Sequence, residues 1–199
     1  SIASLLFIIV PMCLGVFVLS KEIIILYAGK KYLAAIVPLM IACITRIFIS
    51  LESVMNNLVM YPNNREDRIL KVSLICGTSN LIINYLLVTF KIFSPITALA
   101  TTGLVELAVF ITHYIYARRK MNINVQVFSK KNMIYIILST LFIPISLLIR
   151  KLNLGFYITI ILIIITCMLL YFIVLYIKKD NNLMFILDKF KNKLKVGKK

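Results

Sequence analysis

The chain has 199 residues, 61% of them hydrophobic and 15% charged, with a mean hydropathy of +0.99 and a formal net charge of +16. An ordinary soluble domain is nearer half apolar, and a core of this size cannot bury so much apolar side chain. The Lys and Arg residues do not gather into one patch, which sets nucleic acid aside as a partner; they fall between long apolar runs, as juxtamembrane charges do.

Six apolar stretches follow one another along the chain. The first, Ala3 to Leu19, is uncharged and close to the shortest length that crosses a bilayer. It starts without a Met or a basic segment before it, so it does not read as a signal peptide, and an upstream part of the protein is expected. Leu33 to about Tyr61 is the second stretch, interrupted by Arg46 and Glu52. Val72 to Phe90 is uncharged, and Ile92 to Ala117 carries Glu106. Met133 to Ile149 and Leu154 to Ile177 complete the set. At 1.5 Å per residue each can cross a hydrocarbon core of ~30 Å, and backbone in lipid has to satisfy its own hydrogen bonds, so each is expected to be a helix. Pro11, Pro38 and Pro144 lie inside these stretches, where a membrane bundle tolerates them as kinks. The expected fold is therefore all-α, a polytopic membrane bundle of about six helices.

Three units are expected: four membrane helices in 1–117, two more in 118–177, and a basic tail in 178–199. The 62–71 loop, the 118–132 loop and the tail together hold 16 of the 23 Lys and Arg residues. The positive-inside rule places these segments, and with them both ends of the chain, on the cytoplasmic side. Within the tail, Leu183, Leu187, Phe190 and Leu194 recur at helical spacing, flanked by Lys189, Lys191, Lys193 and Lys195. That pattern predicts an amphipathic helix lying on the anionic membrane surface.

Polar residues inside the apolar stretches are the informative ones. Counted from the outer boundary, Arg46 lies at ~20 Å and Glu106 at ~16 Å. The third stretch runs the other way and carries Ser73, Gly77, Asn80 and Asn84 on one helix face, with Asn84 and Asn80 at ~9 Å and ~15 Å. Ionisable groups at such depth face a bundle interior or an aqueous cavity and often pair. Asparagines on a helix face serve equally well as interhelical glue, and the run Thr97-Ala-Leu-Ala-Thr-Thr-Gly103 suits close helix packing. His113 is five residues from Arg118 and reads as an interfacial histidine, whereas Glu52 has no evident role. Cys13, Cys43, Cys76 and Cys167 lie far apart in apolar surroundings and read as small core residues, not as a disulfide or metal site. With one histidine and no GxSxG or phosphate-binding glycine loop, no catalytic residue, metal site or cofactor is expected.

Three blocks carry a family resemblance. The first is Phe7-Ile-Ile-Val-Pro-Met-Cys-Leu-Gly15 followed by Leu19-Ser-Lys-Glu-Ile-Ile-Ile-Leu-Tyr-Ala-Gly29. The second is Pro62-Asn-Asn-Arg-Glu66 leading into Ser79-Asn-Leu-Ile-Ile-Asn-Tyr-Leu-Leu87, and the third is Ala98-Leu-Ala-Thr-Thr-Gly-Leu-Val-Glu106. In order and spacing they resemble the polysaccharide transporter (Wzx-type oligosaccharide flippase) family of the multidrug/oligosaccharidyl-lipid/polysaccharide exporter superfamily. The chain departs from it at Phe93-Ser-Pro95, where the family usually has glycines. The resemblance extends only to the C-terminal portion of such a two-lobed transporter.

It implies a flippase of the bacterial cytoplasmic membrane, moving an undecaprenyl-diphosphate-linked oligosaccharide (an O-antigen, capsule or exopolysaccharide unit) outward by alternating access. Arg46 would contact the diphosphate, Glu106 would position that arginine or titrate with it, and Asn80 and Asn84 would line the same layer. The implied partners are the lipid-linked oligosaccharide, membrane lipids, a missing N-terminal lobe and polysaccharide assembly proteins. A lipid II or multidrug exporter of the same superfamily, or a membrane scaffold subunit that transports nothing, stands as the alternative.

Overall fold

The computed structural model describes residues 2–127 and 129–196, with side chains as far as Lys189. Among them 86% helix and no strand is found. In chain order the helices are α1 (Ile2–Val18), α2 (Ser20–Tyr27), α3 (Ile36–Met55), α4 (Glu66–Thr89), α5 (Pro95–Lys120), α6 (Lys130–Thr140), α7 (Phe142–Lys151), α8 (Phe156–Ile177) and α9 (Asn181–Val196). Short 3-10 turns flank α3 at Lys30–Ala35 and Tyr61–Asn63, and a π-helical turn, Asn56–Met60, follows it directly. Five stretches are long and apolar enough to cross a membrane: Lys30–Asn63, Glu66–Thr89, Pro95–Lys120, Lys130–Lys151 and Phe156–Ile177. The bent pair α1–α2, turned by 70°, makes a sixth if it counts as one span. The protein is thus an all-helical, multi-pass bundle, as its apolar runs predict.

The packing of α8 shows how these sequences build helices for lipid. Thr159, Ile163, Cys167, Tyr171 and Leu175 recur every four residues and form its buried face. Ile161, Ile165, Met168, Leu169, Ile173 and other large apolar side chains remain exposed around the rest. A helix apolar all round with one packed stripe is what a bilayer permits and water does not.

Prolines shape α1 and the α6–α7 span. Pro11 lacks the N–H that would bond the Phe7 carbonyl one turn earlier. The Tyr171 hydroxyl donates to that freed carbonyl at 2.8 Å, tying α8 to α1. Pro144 has the same relation to Thr140, and the helix breaks at Leu141 between α6 and α7.

Loop ends follow ordinary capping chemistry. Ser94 and Thr97 form a reciprocal capping box at the start of α5, with Pro95 in the first helical position. The connection from α4 contains no glycine and turns on Lys91 at φ 57°. Asn64, Asn122 and Asn153 take further left-handed positions after helices, a conformation asparagine accepts at low cost, and Lys179 takes the one after α8.

Two cores result. The larger joins α1, α6, α7, α8 and the start of α9, with Leu6, Phe7, Val10, Tyr135, Phe142, Ile163, Cys167, Tyr171 and Leu183 at its centre. The smaller gathers Met55 and Val59 against Phe110, Ala117 and Val127. The first helix thus packs on the last spans as well as on α3. Within α9, Leu183 is buried and Ile186 and Leu187 pack on the large core, so this part of the apolar stripe faces protein. Phe185 and Lys189 stay exposed; Phe190, Lys191, Lys193, Leu194 and Lys195 lie outside the residues whose side chains are described.

Candidate functional site

The most extensive helix contact in the molecule is between α3 and α5. Its close point is Gly103: a Cβ there would sit 2.6 Å from the Thr45 hydroxyl oxygen. Only a glycine allows that approach. Met55 and Val59 meet Phe110 and Ala117 further along both helices, so α3 and α5 run in the same direction. Arg46 is one residue past Thr45 and Glu106 three past Gly103, which leaves them ~3 Å apart along the axis.

A shared level does not make them partners. The described residues contain two ion pairs, and neither involves Arg46 or Glu106. Arg46 is exposed on the outside of α3, in the interior of a 34-residue apolar stretch, whereas Glu106 is half-buried. Asn80 and Asn84 are half-buried on α4, a helix whose single buried residue is Val72. The Thr101 hydroxyl of α5 donates to Asn84 Oδ1 at 3.1 Å, and Asn84 Nδ2 donates to Asn80 Oδ1 at 3.2 Å. Asn84 therefore stitches α4 to α5, and Asn80 holds the Asn84 side chain from within α4. Ser73 and Gly77 on the same face are exposed.

Glu52, unassigned in the sequence, accepts a hydrogen bond from the Asn56 side-chain amide across the junction between α3 and the π turn. It lies within electrostatic reach of Glu106. Two carboxylates thus sit on facing helices, with Arg46 on the open flank of the same pair.

Sequence reasoning missed two features. His113 lies inside the protein: its ring is fully buried and neither nitrogen has a protein hydrogen-bond partner. Its closeness to Arg118 in sequence hid this, because the π turn and α4 close over that end of α5. The second is Glu22 with Arg150, an ion pair between α2 and the end of α7. Glu22, in the first turn of α2, is 7% exposed. Arg150 Nη2 donates to both its carboxylate oxygens at 2.9 Å and to the Val18 carbonyl, freed at the α1–α2 bend, at 2.6 Å. At the opposite end, Asp180 caps α9 through the Asn182 and Leu183 amides, accepts from the Tyr135 hydroxyl at 2.7 Å and pairs with Lys131 at 3.5 Å.

No group of three His, Cys, Asp or Glu among the described residues is placed to hold a metal ion. All four cysteines are free thiols, three of them buried. Comparison with known protein families, with curated proteins and with solved structures returned no match. What fold and site define together is a multi-pass helical membrane protein with polar groups inside its α3–α5 spans.

Proposed function

We propose that this chain is the C-terminal helical part of a two-lobed transporter of the bacterial cytoplasmic membrane, a flippase for undecaprenyl-diphosphate-linked oligosaccharide. The observation that carries the reading is Arg46, an arginine left exposed in the interior of an apolar span. A guanidinium at bilayer depth is costly against lipid and is expected to face protein or a water-filled cavity. A second lobe across α3 and α4 supplies such a cavity, and an anionic diphosphate is the natural ligand of an otherwise unpaired arginine. In this reading Glu106 and Glu52 balance the charge of the layer, Asn80 and Asn84 hold α4 in place beside it, and Lys189 marks the cytoplasmic membrane surface.

Arg46→Ala in the full-length protein is expected to abolish surface polysaccharide, with Arg46→Lys keeping part of it. Normal polysaccharide in Arg46→Ala sinks the proposal. Cysteine labelling separates it from the scaffold reading, which the Asn80–Asn84–Thr101 stitching favours. A cysteine at position 46 that no aqueous reagent labels from either side supports a scaffold.

A further inference from the structure

Four polar atoms are buried at the end of the bundle where the π turn, the start of α4 and the end of α5 meet. They are Asn56 Oδ1, Arg68 Nε and both ring nitrogens of His113, and none has a protein hydrogen-bond partner. His113 lies between Phe110 and Ala117 on the α5 face that packs on Met55 and Val59. Arg68 is close enough for its charge to act on the His113 ring, and its guanidinium stacks over Tyr116, 3.8 Å from the ring centroid. Asn56 opens the π turn and already donates its amide to Glu52. Met55, fully buried, packs in one cluster with Phe110 and Ala117, the residues on either side of His113.

We infer that His113, Asn56 and Arg68 hold bound water, making an internal hydration site that continues the Glu52–Asn56 hydrogen bond toward the surface at Arg68. Buried polar groups are almost always hydrogen-bonded, and a water suits a polar site that offers it two to four partners. The donor and acceptor types select the ligand. A neutral imidazole offers one N–H and one lone pair, Arg68 an N–H and Asn56 a carbonyl oxygen. That is two donors and two acceptors, which a molecule that both donates and accepts can satisfy. A cation is repelled by Arg68, and an anion meets the Asn56 oxygen with Glu52 behind it. The two ring nitrogens point to opposite sides of the imidazole, so one water cannot serve both and at least two are needed. The π turn is a second, independent sign, since such turns recur at functional sites and widen the helix locally. The inference does not depend on what the protein transports.

Hydroxyl-radical footprinting with synchrotron X-rays tests it on the full-length protein in nanodiscs, because bound water is radiolysed in place and marks its neighbours whatever their exposure. Met55 and His113 are expected to be oxidised about fivefold or more faster than Cys167, a sulfur also buried in the large apolar core. In His113→Phe, which fills the ring's space without a polar atom, Met55 oxidation should fall about threefold or more while Cys167 is unchanged. Met55 and His113 labelling no faster than Cys167 in the wild type overturns the inference, and so does unchanged Met55 labelling in the variant. The wild-type comparison decides the matter even if the variant fails to fold.

Discussion

The two cores treat polar groups in opposite ways. In the half built from α1, α2 and α6–α9, nearly every buried polar group has a protein partner: Glu22 has Arg150, Phe7 O has Tyr171, and Asp180 has Tyr135, Lys131 and two backbone amides. Asn132 Oδ1 and Ser139 Oγ are its exceptions. In the α3–α5 half, His113, Asn56 and Arg68 keep unpaired atoms, Arg46 is exposed, and α4 buries one residue. The first half is closed on itself. The second leaves buried polar atoms without protein partners and most of α4 uncovered.

Breaking the frame should cost most. Arg150→Ala leaves Glu22 buried without a counter-charge and the Val18 carbonyl without its donor, and should destabilise by about 2 to 3 kcal/mol, less than the fullest buried-pair losses because the Arg150 side chain is 32% exposed. The midpoint of denaturation in SDS or a thermal melt in detergent measures this. A joint Glu22→Leu/Arg150→Leu replacement should recover most of the loss, and a single-variant loss below about 0.5 kcal/mol would mean the frame does not depend on the pair. Next in size comes the one tight contact of the open half. Gly103→Ala drives a methyl into Thr45 and should cost about 1 to 3 kcal/mol. Thr45→Ala in the same molecule should relieve it, and additive losses in the double variant would show that the two helices do not meet there.

How far the residues alone reveal this depends on what each pattern encodes. Apolar runs bounded by charge fix the spans, because lipid imposes both length and helicity. A helix is also a ruler, so the common level of Arg46 and Glu106 could be counted at 1.5 Å per residue. Their failure to pair could not, since facing around the axis depends on which neighbours pack. The amphipathic stripe of α9 was legible from spacing, yet spacing is the same whether Leu183 and Leu187 meet lipid or protein. Glu22 and Arg150 are 128 residues apart, and no local pattern announces the contact. The burial of His113 was not legible because it comes from the π turn of another span, a feature no local pattern announces.

Two smaller effects test the contrast at the level of single hydrogen bonds. Tyr171→Phe removes the donor to Phe7 O and should cost about 1 kcal/mol. In a Pro11→Ala background the new N–H can take over that carbonyl, so the same change should cost measurably less. Equal losses in both backgrounds would show that the tyrosine is not there to repair the proline.

The smallest effect belongs to the open half. Thr101 has one hydroxyl proton, placed between Asn84 Oδ1 at 3.1 Å and the Ala98 carbonyl at 2.9 Å. Thr101→Val, which keeps the shape, should therefore cost only about 0.6 kcal/mol, the average for such bonds in membranes. The Asn84–Asn80 bond survives the change, and α4 keeps its apolar contact with α5. A loss above about 2 kcal/mol would mean that α4 hangs on this one bond and that the open half is held together by polar stitching in place of packing. A loss near zero would mean that the shared proton already rests on Ala98, leaving α4 held by apolar contact alone and freest to move against α5.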